Sequence, residues 1–154
     1  MKTNGIYVCL NVLPSIELCN LVLTGIPSDK FHITLMYAVG EYDNIFEVEN
    51  YLNDVLFTRG LPNDMQLIGF ESLGKDVDDR AIVALIKSDD LIIIHNELKD
   101  KFNLKHSFDD FKAHMTITYG NTDREADTMV KCLNSMIWNN IIFEPLGFKV
   151  STIE

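Results

Sequence analysis

The same six-residue pattern occurs twice in this chain, at residues 32–37 and 114–119. Each copy has His, Thr and Tyr at its first, third and sixth positions, and most of the other positions are apolar. Such alternation is typical of a strand, in which residues two apart project from the same face. The fold therefore has to accommodate two strands that each present an imidazole and a hydroxyl side by side.

The polar face of these strands contains the candidate catalytic residues, which are His32, Thr34, His114 and Thr116. Cleavage of a phosphodiester needs a base, an acid and donors that stabilise charge on the phosphoryl oxygens. An imidazole, with an ordinary pKa of about 6.5, serves as base or acid near neutral pH. A lone His or Thr on a strand is usually structural, but two copies in one register make coincidence a poor explanation. We predict that one His is the base and the other the acid, in an order that the sequence leaves open.

Four further residues are predicted to contact the ligand. Lys30 and Lys112 each precede a motif histidine by two positions, so on an uninterrupted strand they share its face. Thr118 continues the polar face of the second motif strand. Tyr7 projects away from the aliphatic residues of the strand at 5–11 and is placed to stack on a base; a half-buried Tyr7 with its hydroxyl in water is the open alternative.

The remaining tyrosines and histidines are assigned structural roles. Tyr37 and Tyr119 stand at an odd offset from their histidines, which puts them on the apolar face of an ideal strand. His95 lies on a predicted helix, and His106 precedes a polar loop where we expect it to be exposed. A zinc site needs three or four converging ligands, so we predict no metal and no cofactor.

These motifs resemble those of the 2H phosphoesterase superfamily, which includes RNA 2',3'-cyclic phosphodiesterases, 2',5'-oligoadenylate phosphodiesterases and LigT-type enzymes. The resemblance spans nearly the whole chain. Segments 5–8, 27–32 and 108–114 are similar to phage anti-CBASS cyclic-oligonucleotide phosphodiesterases, which destroy nucleotide second messengers of a bacterial immune system. One departure is a missing tryptophan after the central strand, where this chain has Glu71-Ser72-Leu73-Gly74.

The resemblance implies a bilobal α+β fold of the LigT type, with two antiparallel sheets lining a central cleft and helices outside. It also implies a metal-independent phosphodiesterase that hydrolyses small cyclic oligonucleotides such as 3',3'-cGAMP and counteracts CBASS immunity. The alternatives are an RNA-end 2',3'-cyclic phosphodiesterase, a 2',5'-oligoadenylate phosphodiesterase, or a module that sequesters a nucleotide without cleaving it. A matched acid and base argue against sequestration alone.

The order of predicted elements also indicates an α+β domain. Strands and helices alternate as follows: strand 5–11, helix from about Pro14 to Leu23, first motif strand, helix from near Asp43, strands near 65–73 and 80–87, helix from about Asp90 to Phe102, second motif strand, helix to about Met136, and a strand or pair at 140–152.

Length and composition predict one domain over residues 1–154. A chain of this length with 47% hydrophobic residues can bury most of the surface that its unfolded form exposes. No apolar run is long enough to span a membrane, and we expect no signal peptide. Cys9, Cys19 and Cys132 lack metal-type spacing and are predicted to be reduced core thiols of a cytoplasmic protein, in the host bacterium if a phage encodes it.

The formal net charge of −10 bears on the class of ligand. A protein that binds duplex nucleic acid usually presents a broad basic face that neutralises many phosphates. A small nucleotide needs only a few local donors. We therefore predict a small cyclic or short oligonucleotide substrate and no duplex partner, and make no prediction of the oligomeric state.

Overall fold

A computed structural model describes residues 3–15, 18, 31–74, 80–107, 110–120, 122–138 and 141–153. Within these ranges the chain forms six strands and three helices, in the order β1 (Thr3–Pro14), β2 (His32–Tyr42), α1 (Ile45–Thr58), β3 (Gln66–Leu73), β4 (Arg80–Lys87), α2 (Asp89–Phe102), β5 (His114–Gly120), α3 (Asp123–Ser135) and β6 (Phe143–Thr152). The predicted α+β class is confirmed.

The strands form one antiparallel sheet with the order β3-β4-β5-β2-β1-β6. The central neighbours β2 and β5 pair at a single position, Ile33 with Met115, in the described part of the chain. The ladders on either side extend over most of each strand. Two three-stranded halves are thus joined at one residue pair, and the prediction of two separate sheets is not confirmed.

The hydrophobic core lies on one face of this sheet, which we call the helix face. Burying a large aliphatic side chain contributes roughly 1.5–3 kcal/mol, so such a cluster strongly determines which face of each strand is covered. The cluster combines alternate strand residues with the apolar sides of the helices, and it includes Ile6, Val8, Leu10, Ile33, Met115, Val48, Leu52, Leu91, Leu98 and Ala126.

A β-bulge interrupts β2 three residues after its histidine. Thr34 and Met36 pair with consecutive residues of β1, which leaves Leu35 between them without a partner. One extra residue shifts the alternation of side chains by one position. Tyr37 therefore returns to the face of His32 and Thr34, and the prediction that it lies on the apolar face is wrong.

A bulge at the same offset interrupts β5. Thr116 and Thr118 pair with consecutive residues of β4, which leaves Ile117 unpaired. Tyr119 consequently shares the face of His114 and Thr116 and is 53% exposed. Thr118 is 5% exposed and pairs across from a core residue of β4. Its predicted position on the polar face is wrong for the same reason.

Two histidines are hydrogen-bonded to the backbone of β2 beyond the position at which it pairs with β5. Nδ1 of His95, on α2, lies 2.6 Å from the carbonyl oxygen of Leu35 and donates to it. The amide of Tyr37 donates to Nδ1 of His106 over 3.1 Å. Phe111 stacks on His95 with ring centroids 4.2 Å apart. The structural role of His95 is confirmed, whereas the prediction that His106 is exposed is wrong.

Helix α2, which carries His95, begins at a well-formed cap. The Ser88 hydroxyl accepts from the amide of Leu91, and the Asp64 carboxylate accepts from the amides of Asp89 and Asp90. Side chains that satisfy the first amides of a helix stabilise it, typically by about 1 kcal/mol per cap. The position of His95 is therefore fixed by the helix as well as by its own hydrogen bond.

The remaining predictions divide between the described residues and those outside them. Pro14, predicted to begin a helix, instead ends β1, and most of that predicted helix lies outside the described residues. Cys9 is buried as predicted, whereas Cys132 is exposed on α3 and the prediction that it is a core thiol is wrong. Cys19 lies outside the described ranges. Among the helices described, none has both the length and the apolar character needed to cross a membrane.

Candidate active site

The face of the sheet opposite the core, which we call the motif face, brings both sequence motifs together. β2 and β5 are antiparallel, and Ile33 pairs with Met115. In an antiparallel pair, the residue that precedes Ile33 therefore lies across from the residue that follows Met115, and the converse also holds. The register thus gives two facing pairs, His32 with Thr116 and Thr34 with His114. Side chains that face each other on neighbouring strands are typically about 5 Å apart at Cβ. The four predicted catalytic residues form one compact group with approximate two-fold symmetry.

His114 is oriented by the backbone just before β5. Its Nδ1 lies 2.7 Å from the carbonyl oxygen of Lys112. A carbonyl oxygen only accepts, so Nδ1 carries the proton and Nε2 is the nitrogen that is available for proton transfer. The ammonium of Lys112 forms an ion pair with Glu71. Lys112, a predicted ligand contact, is therefore next to the site but has its charge paired.

Val83 of β4 pairs with Glu71 of β3 on one side and with Thr116 of β5 on the other. The Glu71 side chain therefore projects from the motif face, as that of Thr116 does. Glu71 belongs to the segment Glu71-Ser72-Leu73-Gly74, in which the 2H resemblance leads us to expect a tryptophan. At this edge of the site the chain therefore has a Glu–Lys ion pair instead of an aromatic ring.

Tyr7 lies on the motif face, as predicted. Its hydroxyl is hydrogen-bonded to the hydroxyl of Thr34 over 3.1 Å, and its ring makes an edge contact with His32 at a centroid distance of 6.3 Å. Burial raises the pKa of Tyr7, so its hydroxyl stays protonated at neutral pH. The Tyr7 hydroxyl can thus hold Thr34 in place.

A cation that the sequence analysis missed lies two strands away from Thr34. Cys9 of β1 pairs with Thr34 on one side and with Lys149 of β6 on the other, so the three side chains share the motif face. Burial raises the pKa of Cys9, and the nearby Lys149 charge opposes that shift. Lys149 forms no ion pair with any residue that the structure describes.

Only the order of strands reveals Lys149, because β6 lies at one edge of the sheet and 117 positions separate Lys149 from His32 in sequence. The predicted contact Lys30 lies outside the described residues. In the described ranges, no three His, Cys, Asp or Glu side chains are grouped as metal ligands would be. Among the residues that the structure describes, the site offers two imidazoles, two hydroxyls and the Lys149 cation, which are groups suited to proton transfer at a phosphate.

Comparison with known proteins assigns the family. A solved structure described as "Crystal structure of phosphoesterase" is similar, with a TM-score of 0.44 and 14% identity over 98% of this chain and 99% of the other. No curated protein matches the sequence. The family described as "Anti-CBASS protein Acb1" matches residues 5–151, a span that includes both motifs. The chain therefore belongs to the Acb1 family of anti-CBASS proteins.

Proposed function

We propose that this protein is a metal-independent phosphodiesterase of the two-histidine type that hydrolyses small cyclic oligonucleotide messengers, with 3',3'-cGAMP-like molecules as the favoured substrates. Its biological effect would be to remove the signal on which CBASS immunity depends. Membership of an anti-CBASS family supports this role. The observation that carries the proposal is the register at Ile33 and Met115, which supports a single site made of both His and both Thr.

The diagonal arrangement of the histidines suits the geometry of phosphoryl transfer. Attacking and leaving oxygens lie roughly in line on opposite sides of phosphorus. His32 and His114 stand at opposite corners of the group, each across the strand gap from a threonine. A phosphate bound at the centre of the group would have an imidazole near each of the two reacting oxygens.

In the proposed reaction one histidine gains a proton and the other loses one, so the two together carry the same number of protons before and after. The basic imidazole takes a proton from the attacking oxygen of water or a ribose hydroxyl, and that oxygen forms a bond to phosphorus. The bond from phosphorus to the leaving ribose oxygen breaks, and the protonated imidazole supplies a proton to that oxygen. Attack by water opens the ring to a linear product with a terminal phosphate, whereas attack by a ribose hydroxyl leaves a cyclic phosphate.

Neighbouring groups support the transition state. Thr34 and Thr116 are placed to donate to the non-bridging oxygens, where such donors stabilise developing charge. The Tyr7 hydroxyl orients Thr34. Lys149 supplies positive charge from β6, two strands away from Thr34. The two halves of the sheet, joined only at its centre in the described residues, would act as the two lobes of a cleft around the substrate.

The decisive experiment is a substrate panel with purified protein in EDTA. The panel contains 3',3'-cGAMP, a 2',5'-oligoadenylate and a 2',3'-cyclic nucleotide, and chromatography follows the loss of each. We expect 3',3'-cGAMP to be consumed fastest. The double variant His32→Ala, His114→Ala, purified in parallel, controls for contaminating phosphodiesterases and should leave all three substrates intact.

Each alternative function has its own signature in this panel. Consumption of the 2',3'-cyclic nucleotide alone would indicate RNA-end processing, and consumption of the oligoadenylate alone would indicate a 2',5'-phosphodiesterase. Recovery of unchanged 3',3'-cGAMP after denaturing its complex would indicate sequestration. Complete inhibition by EDTA that a divalent ion reverses would contradict the metal-independent mechanism.

A further inference from the structure

Lys112 connects two groups of the motif face. Its carbonyl oxygen lies 2.7 Å from Nδ1 of His114, and its ammonium forms an ion pair with Glu71 of β3. The first contact determines which ring nitrogen of His114 carries a proton, because a carbonyl oxygen only accepts. The second contact has no role in the proposed chemistry. One residue thus links the tautomer of His114 to a carboxylate two strands away.

The ion pair spans the row of residues to which His114 belongs. Glu71 lies in the same row of paired residues as Thr116, and His114 lies in the next row on that face. Lys112 precedes His114 by two residues, so its backbone is one row further along. The two side chains therefore reach each other from rows on either side of His114.

Three contacts hold the segment that carries the Lys112 carbonyl. The Phe111 ring stacks on His95 with ring centroids 4.2 Å apart, and the Ala113 carbonyl accepts from the amide of Ile86 over 3.0 Å. The ion pair is the one contact of the three that acts on Lys112 itself. Without it the Lys112 carbonyl is held through its neighbours, and its hydrogen bond to His114 breaks more easily.

We propose that Glu71 is a positioning residue for His114, because through Lys112 it holds the carbonyl that keeps the proton on Nδ1 and leaves Nε2 for proton transfer. This inference rests on the proposed function. As base or as acid, His114 exchanges its proton at Nε2, so a ring that is turned or in the other tautomer is unproductive. Hydrogen-bond partners that fix the orientation of a functional histidine commonly act in this way.

Imidazole ¹⁵N chemical shifts test the proposal directly, because they report which nitrogen carries the proton. The spectra are recorded at about pH 9, where imidazoles of ordinary pKa are neutral, and the signals of His114 are those that disappear in His114→Ala. Glu71→Gln should shift the ratio of tautomers away from the Nδ1–H form by about two- to fivefold, the range that an exposed ion pair can contribute. Lys112→Met breaks the same pair from the other side and should shift the ratio in the same direction.

Turnover of 3',3'-cGAMP gives the second readout. Glu71→Gln should lower kcat by about two- to fivefold and should not raise KM, because the freed Lys112 ammonium still attracts phosphate. Glu71→Lys places like charges together and should lower kcat further. The charge swap Glu71→Lys, Lys112→Glu restores an ion pair, so it should return kcat and the tautomer ratio to within about twofold of the wild-type values.

Asp123→Asn is the matched control. Asp123 forms an ion pair with Arg80, and its side chain is 47% exposed, close to the 41% of Glu71. Arg80 pairs with Gly120, at the opposite end of β5 from His114. The variant should change neither the tautomer ratio of His114 nor kcat.

The inference is overturned if the His114 tautomer ratio is the same in Glu71→Gln as in the wild-type protein, or if the charge swap does not restore it. A higher KM with unchanged kcat in Glu71→Gln would also overturn it, since Glu71 would then contact the substrate. If the tautomer ratio changes as expected but the wild-type protein leaves 3',3'-cGAMP intact, the positioning role stands and hydrolysis is the part that fails.

Discussion

The four histidines of the chain fall into two pairs with contrasting environments, one on the motif strands β2 and β5 and one beside the backbone of β2. His32 and His114 stand on the motif face, where solvent and a ligand can reach them. His95 and His106 lie beside the backbone of β2, with ring centroids 5.0 Å apart and with Phe111 stacked on His95. The first pair is the proposed acid and base, whereas the second pair forms hydrogen bonds to the backbone of β2.

The difference shows how the surroundings of a histidine decide which role it can take. Burial lowers the pKa of His95. Burial, and repulsion from the protonated forms of His95 and His114, lower the pKa of His106 to about 4. At neutral pH both rings are therefore uncharged. His95 donates to the Leu35 carbonyl and His106 accepts from the Tyr37 amide. His95, which is buried, and His106, which is half-buried, thus bond to the backbone on both sides of the step from the bulge residue Leu35 to Tyr37.

The largest expected effect separates the two pairs by catalysis. His32→Ala and His114→Ala should each lower kcat for 3',3'-cGAMP by about 10² to 10⁴, because each removes a general acid or base. The double variant should lose less than the product of the single losses, since the two residues act in one step. Single-turnover kinetics with saturating enzyme measures both.

The matched control is His106→Asn, which places an amide oxygen near the position of Nδ1 and can still accept from Tyr37. It should keep kcat within about threefold, because His106 contributes no proton to the proposed reaction. A folded His114→Ala protein with more than a tenth of wild-type turnover would remove His114 from the mechanism. The two histidine pairs would then no longer differ in the way proposed.

Replacing the threonines should have the next largest effect. Thr34→Val and Thr116→Val keep the shape of the side chain and remove the donor, so each should lower kcat by up to about 10²-fold, less than the loss from either histidine. Tyr7→Phe keeps the Thr34 hydroxyl but frees its orientation, and should cost less than Thr34→Val. A loss in Tyr7→Phe as large as in His32→Ala would mean that Tyr7 itself takes part in proton transfer.

Much of the fold could be predicted from local sequence signals. Alternation and helical periodicity predicted β4 and α2 to within a residue at each end. Spacing alone predicts that His32 and Thr34 project from one face of β2, and that His114 and Thr116 project from one face of β5, because no bulge lies between the two residues of either strand. The group of four was therefore predictable as two pairs of neighbours.

The bulges were not predictable, because nothing in the residues at Leu35 or Ile117 distinguishes them from ordinary apolar strand positions. They changed the face of every later residue, which is why Thr118, Tyr37 and Tyr119 were misplaced. Contacts between distant strands were equally hidden. Lys149 and Glu71 join the site through the order of strands in the sheet, and local sequence carries no information about that order.

Acid should destabilise the protein through the half-buried His106. In the unfolded chain a histidine has a pKa near 6.5, whereas in the folded protein that of His106 is about 4. Between these values the unfolded state binds more protons, so the free energy of unfolding falls as the pH falls through this window. Partial exposure reduces the full effect, and we expect His106 to account for roughly 1–2 kcal/mol between pH 7 and pH 4.

Denaturant titrations of the wild-type protein and of His106→Asn at several pH values check this expectation. Carboxylates titrate in the same range in both proteins, so the difference between the two pH dependences isolates His106. The variant should have a flatter dependence between about pH 6.5 and 4. Parallel curves would show that His106 is not held neutral by its environment, and the contrast between the two histidine pairs would be lost.

The smallest expected effect concerns the positive charge of Lys149 on the motif face. Lys149 shares that face with Thr34 through Cys9, and an exposed ammonium attracts a bound phosphate by about 1 kcal/mol or less. Lys149→Met keeps the length of the side chain and should raise KM for 3',3'-cGAMP by up to about fivefold while kcat changes little. Lys149→Arg should retain the wild-type KM.

Added salt screens exposed charges, so it should raise the wild-type KM more than that of Lys149→Met. If KM rose equally with salt in both proteins, Lys149 would not be in contact with the substrate, and the histidines and threonines would have to bind the phosphate without it.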